Sequence, residues 1–254
     1  MPKTIAVAGK GGTGKTTFCG MLVQYLADNK KGHVLAVDAD ANSNLNEVLG
    51  VRVEATLGEI RESMFDKGSG DSLPGGMTKQ AYMEFMFGDA LIEEDRYDLL
   101  VMGRTQGAGC YCYVNGILKT QIERYADSYS YIVVDNEAGL EHISRGTLPH
   151  ADILLLISDC SRRGIQAVGR VAKMVAELGM KPGLMKLIVN RAPGGALSDG
   201  ILEEIRFQEL ELLGVLPQDE TVYQYDTDGL PSAKVPEDSP VKVALSGILS
   251  NLGI

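Results

Sequence analysis

Gly9-Lys10-Gly11-Gly12-Thr13-Gly14-Lys15-Thr16-Thr17 decides how the rest of the chain is read. It follows a short apolar run, Ile5-Ala6-Val7-Ala8, and precedes a helix-like run from Phe18 to Ala27. Strand, glycine loop and helix in that order are what a phosphate-binding loop requires. Gly11, Gly12, Thr13 and Gly14 let backbone N–H groups converge on phosphate oxygens without Cβ clashes. The helix that follows turns its positive end toward the same anion. Lys15 can reach the β- and γ-phosphates, the Thr16 hydroxyl can hold Mg²⁺, and Thr17 continues the cradle into the helix.

Outward from the loop, apolar runs alternate with longer amphipathic stretches. Buried strands are expected at His33 to Val37, Tyr97 to Met102, Tyr131 to Val134, Ile153 to Ile157, Met185 to Val189 and Leu212 to Leu216. Helical patterns cover Lys15 to Asp28, Val114 to Ala126, Gly164 to Leu178, Ser198 to Glu209 and Ser239 to Leu252. Strands apolar on both sides, separated by helices, predict an α/β fold. Its sheet is mostly parallel and covered by helices on both faces. No linker, repeat or low-complexity segment divides it, so residues 1–254 are expected to form a single P-loop domain. The glycine- and proline-rich stretch Phe65 to Met77 reads as a loop.

The chain has 254 residues and a net charge of −10. Its 44% hydrophobic and 23% charged content is ordinary for a soluble globular protein. An acidic surface repels DNA and anionic membranes, so neither nucleic acid nor membrane is expected as a partner. The last helical stretch carries a single lysine, Lys242, where a membrane-surface helix needs a basic face. The N-terminus enters the first strand at once, leaving no room for a signal peptide. No apolar run approaches the roughly 18 residues of a spanning helix, so a cytoplasmic location is expected. Four cysteines suggest no disulfide framework in such a chain. Cys19 and Cys160 read as small core residues.

Carboxylates close two of the strands. Asp38 and Asp40, in Val37-Asp38-Ala39-Asp40-Ala41-Asn42, fall beyond a strand's C-terminal end, where open α/β sheets bind ligands. Asp135 ends the apolar run Tyr131 to Val134 and fits the carboxylate that grips Mg²⁺ through water.

Lys10 is a second lysine in a loop whose phosphates Lys15 already serves. On that feature the chain resembles the deviant Walker A ATPases, of the kind that includes MinD-like cell-division ATPases, plasmid-partition ATPases and the nitrogenase iron protein. The resemblance implies an ATP-bridged homodimer in which Lys10 crosses to the partner's nucleotide. It also implies that Asp40 positions the attacking water, with Asp38 nearer Lys15 and Mg²⁺. Asp135-Asn136-Glu137-Ala138-Gly139-Leu140-Glu141-His142 resembles that family's second switch. Asn190, in Val189-Asn190-Arg191-Ala192-Pro193, and Pro217 resemble its adenine-facing positions.

Cys110-Tyr111-Cys112 lies between an expected strand and an expected helix. Thiols one residue apart are strained as a disulfide and well placed to chelate a soft or borderline metal. A closed Zn²⁺ site or a square-planar Ni²⁺ site wants four ligands, and a two-fold dimer would supply the second pair. His142 and His150 are spare candidates, although isolated histidines more often serve packing. With the deviant loop and the second switch, this central C-x-C gives a resemblance to the nickel-insertion ATPases that mature carbon monoxide dehydrogenase and acetyl-CoA synthase (the CooC-type family). The implied function is a Mg²⁺-dependent ATPase that delivers Ni²⁺, or Zn²⁺, to such a client enzyme. Two rivals stay open: an iron–sulfur-bridged electron-transfer or cluster-assembly ATPase, and a DNA- or membrane-associated partition ATPase. Residues 55–94 match the family pattern only loosely.

Overall fold

The computed structural model describes residues 1–67, 76–104, 116, 119, 120, 122, 124, 126–136 and 151–254. Its frame is an eight-stranded sheet: β1 (Lys3–Gly9), β2 (Val34–Ala39), β3 (Leu91–Glu93), β4 (Tyr97–Val101), β5 (Tyr131–Asn136), β6 (Ile153–Asp159), β7 (Leu184–Ala192) and β8 (Leu212–Pro217). The spatial order is β3-β4-β2-β5-β1-β6-β7-β8. Every neighbouring pair is parallel except β3 with β4, which is antiparallel. This is the α/β architecture expected from the alternating runs.

The α-helices with bounds inside the described residues are α1 (Lys15–Asp28), α2 (Leu45–Leu49), α3 (Leu57–Lys67), α4 (Lys79–Ala90), α5 (Arg162–Glu177), α6 (Asp199–Phe207), α7 (Glu220–Thr227) and α8 (Pro240–Asn251). Because side chains alternate along a strand, each strand feeds two cores. Ile5 and Val7 of β1 join Phe18, Leu22 and Leu26 of α1 and Leu245 and Leu249 of α8. Ala6 and Ala8 face the other way, into a core with Ile165 and Val168 of α5 and Ile201 and Ile205 of α6. Phe18, Leu22 and Leu26 are all but inaccessible to water, worth about 1.5–3 kcal/mol each.

Several expected boundaries shift. β7 runs longer at both ends than Met185 to Val189, and β4 stops at Val101. Met102 still donates its N–H to the Asp38 carbonyl at 2.9 Å, so the sheet pattern carries one residue further. Phe65 to Lys67 are not loop: they complete α3. α3, α4, α7, β3 and the five-residue α2 were not anticipated. Most of the expected helix Val114 to Ala126 lies outside the described residues, as does 68–75 of the expected loop.

The C-terminal helix packs on the domain, with Val241, Leu245, Ile248 and Leu249 buried. Its seat on β8 is tight: a Cβ on Gly214 would lie 2.4 Å from Ile248. Among the described residues no helix is long and apolar enough to cross a membrane. Cys19 is fully buried, as a core residue should be, whereas Cys160 is only partly buried at the end of β6.

Candidate functional site

The phosphate loop occupies the turn from β1, a strand in the middle of the sheet, into α1. Its carbonyls are tied down one by one. The Thr13 hydroxyl donates to the Lys10 carbonyl at 2.8 Å, and the Lys15 ammonium donates to the same oxygen at 3.3 Å. Asn190 Nδ2 donates to the Thr13 carbonyl at 2.9 Å, and Arg191 Nη1 to the Gly12 carbonyl at 3.2 Å. With these oxygens held by side chains, the orphan N–H groups that begin a helix stay free for an anion. α1 has no acidic residue in its first turn and no side-chain cap, so nothing of its own neutralises that end.

Two glycines make the turn possible. Gly14, the N-cap, has φ 86°, and a Cβ there would stand 2.4 Å from Asn190 Nδ2. Gly9 lies so close to β6 that a Cβ would come within 2.2 Å of the Ile157 carbonyl oxygen.

Asp38 and Asp135 are register partners on the parallel strands β2 and β5, so both project toward the face covered by α1. Asp38 is fully buried, and its oxygens accept the N–H groups of Asp40 and Leu45, each at 3.0 Å. Burial pushes its carboxyl up to about 6. Asp135 is 1% exposed, and neither of its carboxylate oxygens accepts a hydrogen bond of normal geometry from a described residue. Burial, helped by the charge of Asp38, pushes it up to about 7, while Thr16, Lys15 and Cys19 oppose the rise. The Cys19 thiol is driven well up, by its own burial first and by Asp135 next. A buried, uncompensated carboxylate facing a threonine hydroxyl and a lysine is an oxygen site short of a cation.

Asp40 stands further out, at the edge of the groove. Its Oδ1 accepts the N–H and the side-chain amide of Asn42, at 2.8 and 3.1 Å. Two cavities meet here. A groove of about 1070 Å³ is lined by Gly11, Gly12, Gly14, Lys15, Thr16 and Asp40, among others. A second cavity of about 560 Å³, within the usual range for ligand pockets, is lined by Asn190, Pro217, Phe18, Met21 and Val222 among others. Thr17, Arg191 and Asp226 border both.

Of the residues expected at the site, Gly11, Gly12, Gly14, Lys15, Thr16, Thr17 and Asp40 line the groove, and Thr17, Asn190 and Pro217 line the second cavity; Thr13, Asp38 and Asp135 are buried and line neither. Asn190 has two attachments expected of neither base nor phosphate: Nδ2 on the loop, and Oδ1 accepting the Arg191 N–H at 2.9 Å. One amide hydrogen remains available. Lys10 is exposed at the mouth of the loop. Cys110, Cys112, His142, His150 and the second-switch residues after Asn136 lie outside the described residues, and among those described no cluster of three or more metal-binding side chains occurs. Sequence reasoning passed over Arg191, whose left-handed backbone (φ 56°) and loop contact give no local signature beyond its place after Asn190. It also missed the thiol of Cys19 beside Asp135, a contact made only when α1 lies on β5.

The sequence profile of the CobQ/CobB/MinD/ParA nucleotide binding domain matches residues 4–232. An uncharacterized ATP-binding protein of Methanocaldococcus jannaschii is 41% identical over 93% of both chains. The carbon monoxide dehydrogenase accessory protein CooC of Rhodospirillum rubrum is 29% identical, over 89% of this chain and 88% of its own. Among solved structures, the septum site-determining protein MinD of Pyrococcus horikoshii, complexed with Mg-ADP, superposes with a TM-score of 0.72. It is 22% identical and covers 99% of this chain and 96% of its own.

Proposed function

Since the chain belongs to the CobQ/CobB/MinD/ParA nucleotide-binding family, we propose that it is a Mg²⁺-dependent ATPase that inserts nickel into a client enzyme. The client would be of the carbon monoxide dehydrogenase or acetyl-CoA synthase kind. The observation that carries the nickel reading is the similarity to the carbon monoxide dehydrogenase accessory protein along nearly the whole of both chains. The Cys110-Tyr111-Cys112 motif supports it, because two thiolates per subunit are half of a four-ligand site for a borderline metal.

The residues divide the work as follows. The loop N–H groups and the α1 terminus bind the phosphates, and Lys15 leaves the Lys10 carbonyl to follow their charge. Thr16 and Asp135 would hold Mg²⁺, which would supply charge neutralisation for the phosphates. The unpaired oxygens of Asp135 suit such a hard cation. Asp38 anchors the turn that carries Asp40, and Asp40 holds the attacking water. The cavity around Asn190 and Pro217 takes the adenine. Lys10 reaches the nucleotide bound by a second copy, so that ATP closes a homodimer and brings the two cysteine pairs together around the nickel cargo. Hydrolysis reopens it.

Equilibrium dialysis with Ni²⁺ and ATP tests the metal half. The variant with Cys110→Ser and Cys112→Ser should lose at least tenfold in affinity, equivalent to about 1.4 kcal/mol, and unchanged binding would end the nickel reading. Sedimentation with and without ATP tests the dimer. Lys10→Ala should remain monomeric under ATP while still binding it. An iron–sulfur protein would instead show a visible thiolate-to-iron band when purified anaerobically.

A further inference from the structure

The turn that carries Asp40 is fastened to the stretch Met102-Gly103-Arg104, which follows β4. The backbone tie is the Met102 N–H on the Asp38 carbonyl, at 2.9 Å. The side-chain tie runs from the Arg104 guanidinium (Nη2) to the Asn42 Oδ1, and Asn42 in turn donates twice to Asp40 Oδ1. Of these two bonds the first is from the Asn42 backbone N–H, and the second is from its side-chain Nδ2, which Arg104 orients: that amide can donate to the carboxylate only while its oxygen points the other way. An unrestrained asparagine amide is free to turn over, since its two ends differ little in shape.

The guanidinium has a firm base. Gly58 donates its N–H to the Met102 carbonyl at 2.8 Å, and a Cβ on Gly58 would stand 2.4 Å from the Arg104 carbonyl oxygen. Gly103, at φ 66°, packs against Thr56, where a Cβ would come within 2.4 Å of the hydroxyl oxygen. Thr56 and Glu59 close that helix start reciprocally: the Thr56 N–H and hydroxyl both donate to Glu59 Oε2 at 2.9 Å, and the Glu59 N–H donates to the Thr56 hydroxyl at 3.2 Å. Residues 102–104 are therefore clamped between β2 and the start of α3.

We propose that Arg104 is a positioning residue for hydrolysis, acting through Asn42 to fix the Asp40 carboxylate on the attacking water. The inference rests on the role given above to Asp40. Because Arg104 touches neither the loop nor the base cavity, it should govern turnover and not nucleotide affinity.

Steady-state ATPase kinetics test this on the full-length protein. Arg104→Gln should lower kcat roughly tenfold, as misplacement of a reactive group does, with KM changed less than about twofold. Arg104→Lys, which can still donate to Asn42, should recover most of the loss. Adding Asn42→Ala to Arg104→Gln should cost nothing more, since both break one chain. Wild-type kcat in Arg104→Gln, or losses that simply multiply in the double variant, would overturn the proposal. So would equal loss in the glutamine and lysine variants. Asp40→Ala separates the two levels. If it abolishes turnover while Arg104→Gln keeps the wild-type kcat, only this inference falls; if it turns over normally, the role of Asp40 falls and this inference with it. Thermal melting of each variant distinguishes a turnover defect from unfolding.

Discussion

At the scale of single residues, the site is built on carboxylates held against their preference. Asp135 and Asp38 stand at about 7 and about 6, against 3.8 for an ordinary aspartate. Raised values mean that the folded chain holds protons which the unfolded chain releases. The stability these groups give is full below about pH 4 and is lost as pH rises through 6 and 7. In protein free of nucleotide and Mg²⁺, Asp135→Asn removes that loss. Its melting temperature should exceed that of the wild type at pH 8 by roughly 5 °C or more, and the gap should close by pH 5. A gap that persists at pH 5 would point to packing and not to charge. These residues were legible as a pair of strand-ending aspartates. What no pattern in the chain announced was their adjacency, because β2 and β5 are neighbours in the sheet but nearly a hundred positions apart in sequence.

Among the elements, the strand-loop-helix at the start was the most legible, and α1 falls on the expected Lys15 to Asp28. Its glycines are spaced for phosphate, and periodicity carries the rest. Gly9 adds a constraint that the motif alone does not explain: it is where β1 touches β6. Gly9→Ala must push a methyl group into the Ile157 carbonyl, and overpacking of that sort costs about 1–3 kcal/mol. Chemical denaturation should show that loss, whereas Gly12→Ala, whose Cβ would meet nothing within 4 Å, should mainly affect nucleotide binding through its positive φ. The stretch with α3, α4 and β3 was the least legible. α4 has apolar residues on several sides, and β3 has three residues, too few to show an alternation. Short edge strands owe their existence to the neighbour they pair with.

For the molecule as a whole, the order of the strands places β1 between β5 and β6, so the phosphate loop springs from the interior of the sheet and not from an edge. Composition spoke about partners more than about fold. With a net charge of −10, binding to duplex DNA at physiological salt should be negligible, and a filter-binding titration from low to high salt checks it. Tight, salt-steep binding would favour a partition role over nickel delivery.

The buried carboxylate pair has a consequence for how long the protein lasts. A chain that keeps two carboxylates in a low-dielectric crevice is least stable with that crevice vacant, and any cation-bearing nucleotide that binds the native fold alone adds stability by mass action. Proteases that attack transiently open molecules cut in proportion to how often they open. Occupancy therefore sets survival as well as activity. Limited proteolysis at pH 8 should be slowed by Mg-ADP to a much greater degree in the wild type than in Asp135→Asn. On that account the nucleotide acts as a guardian of the fold, and idle copies are the first to be cleared.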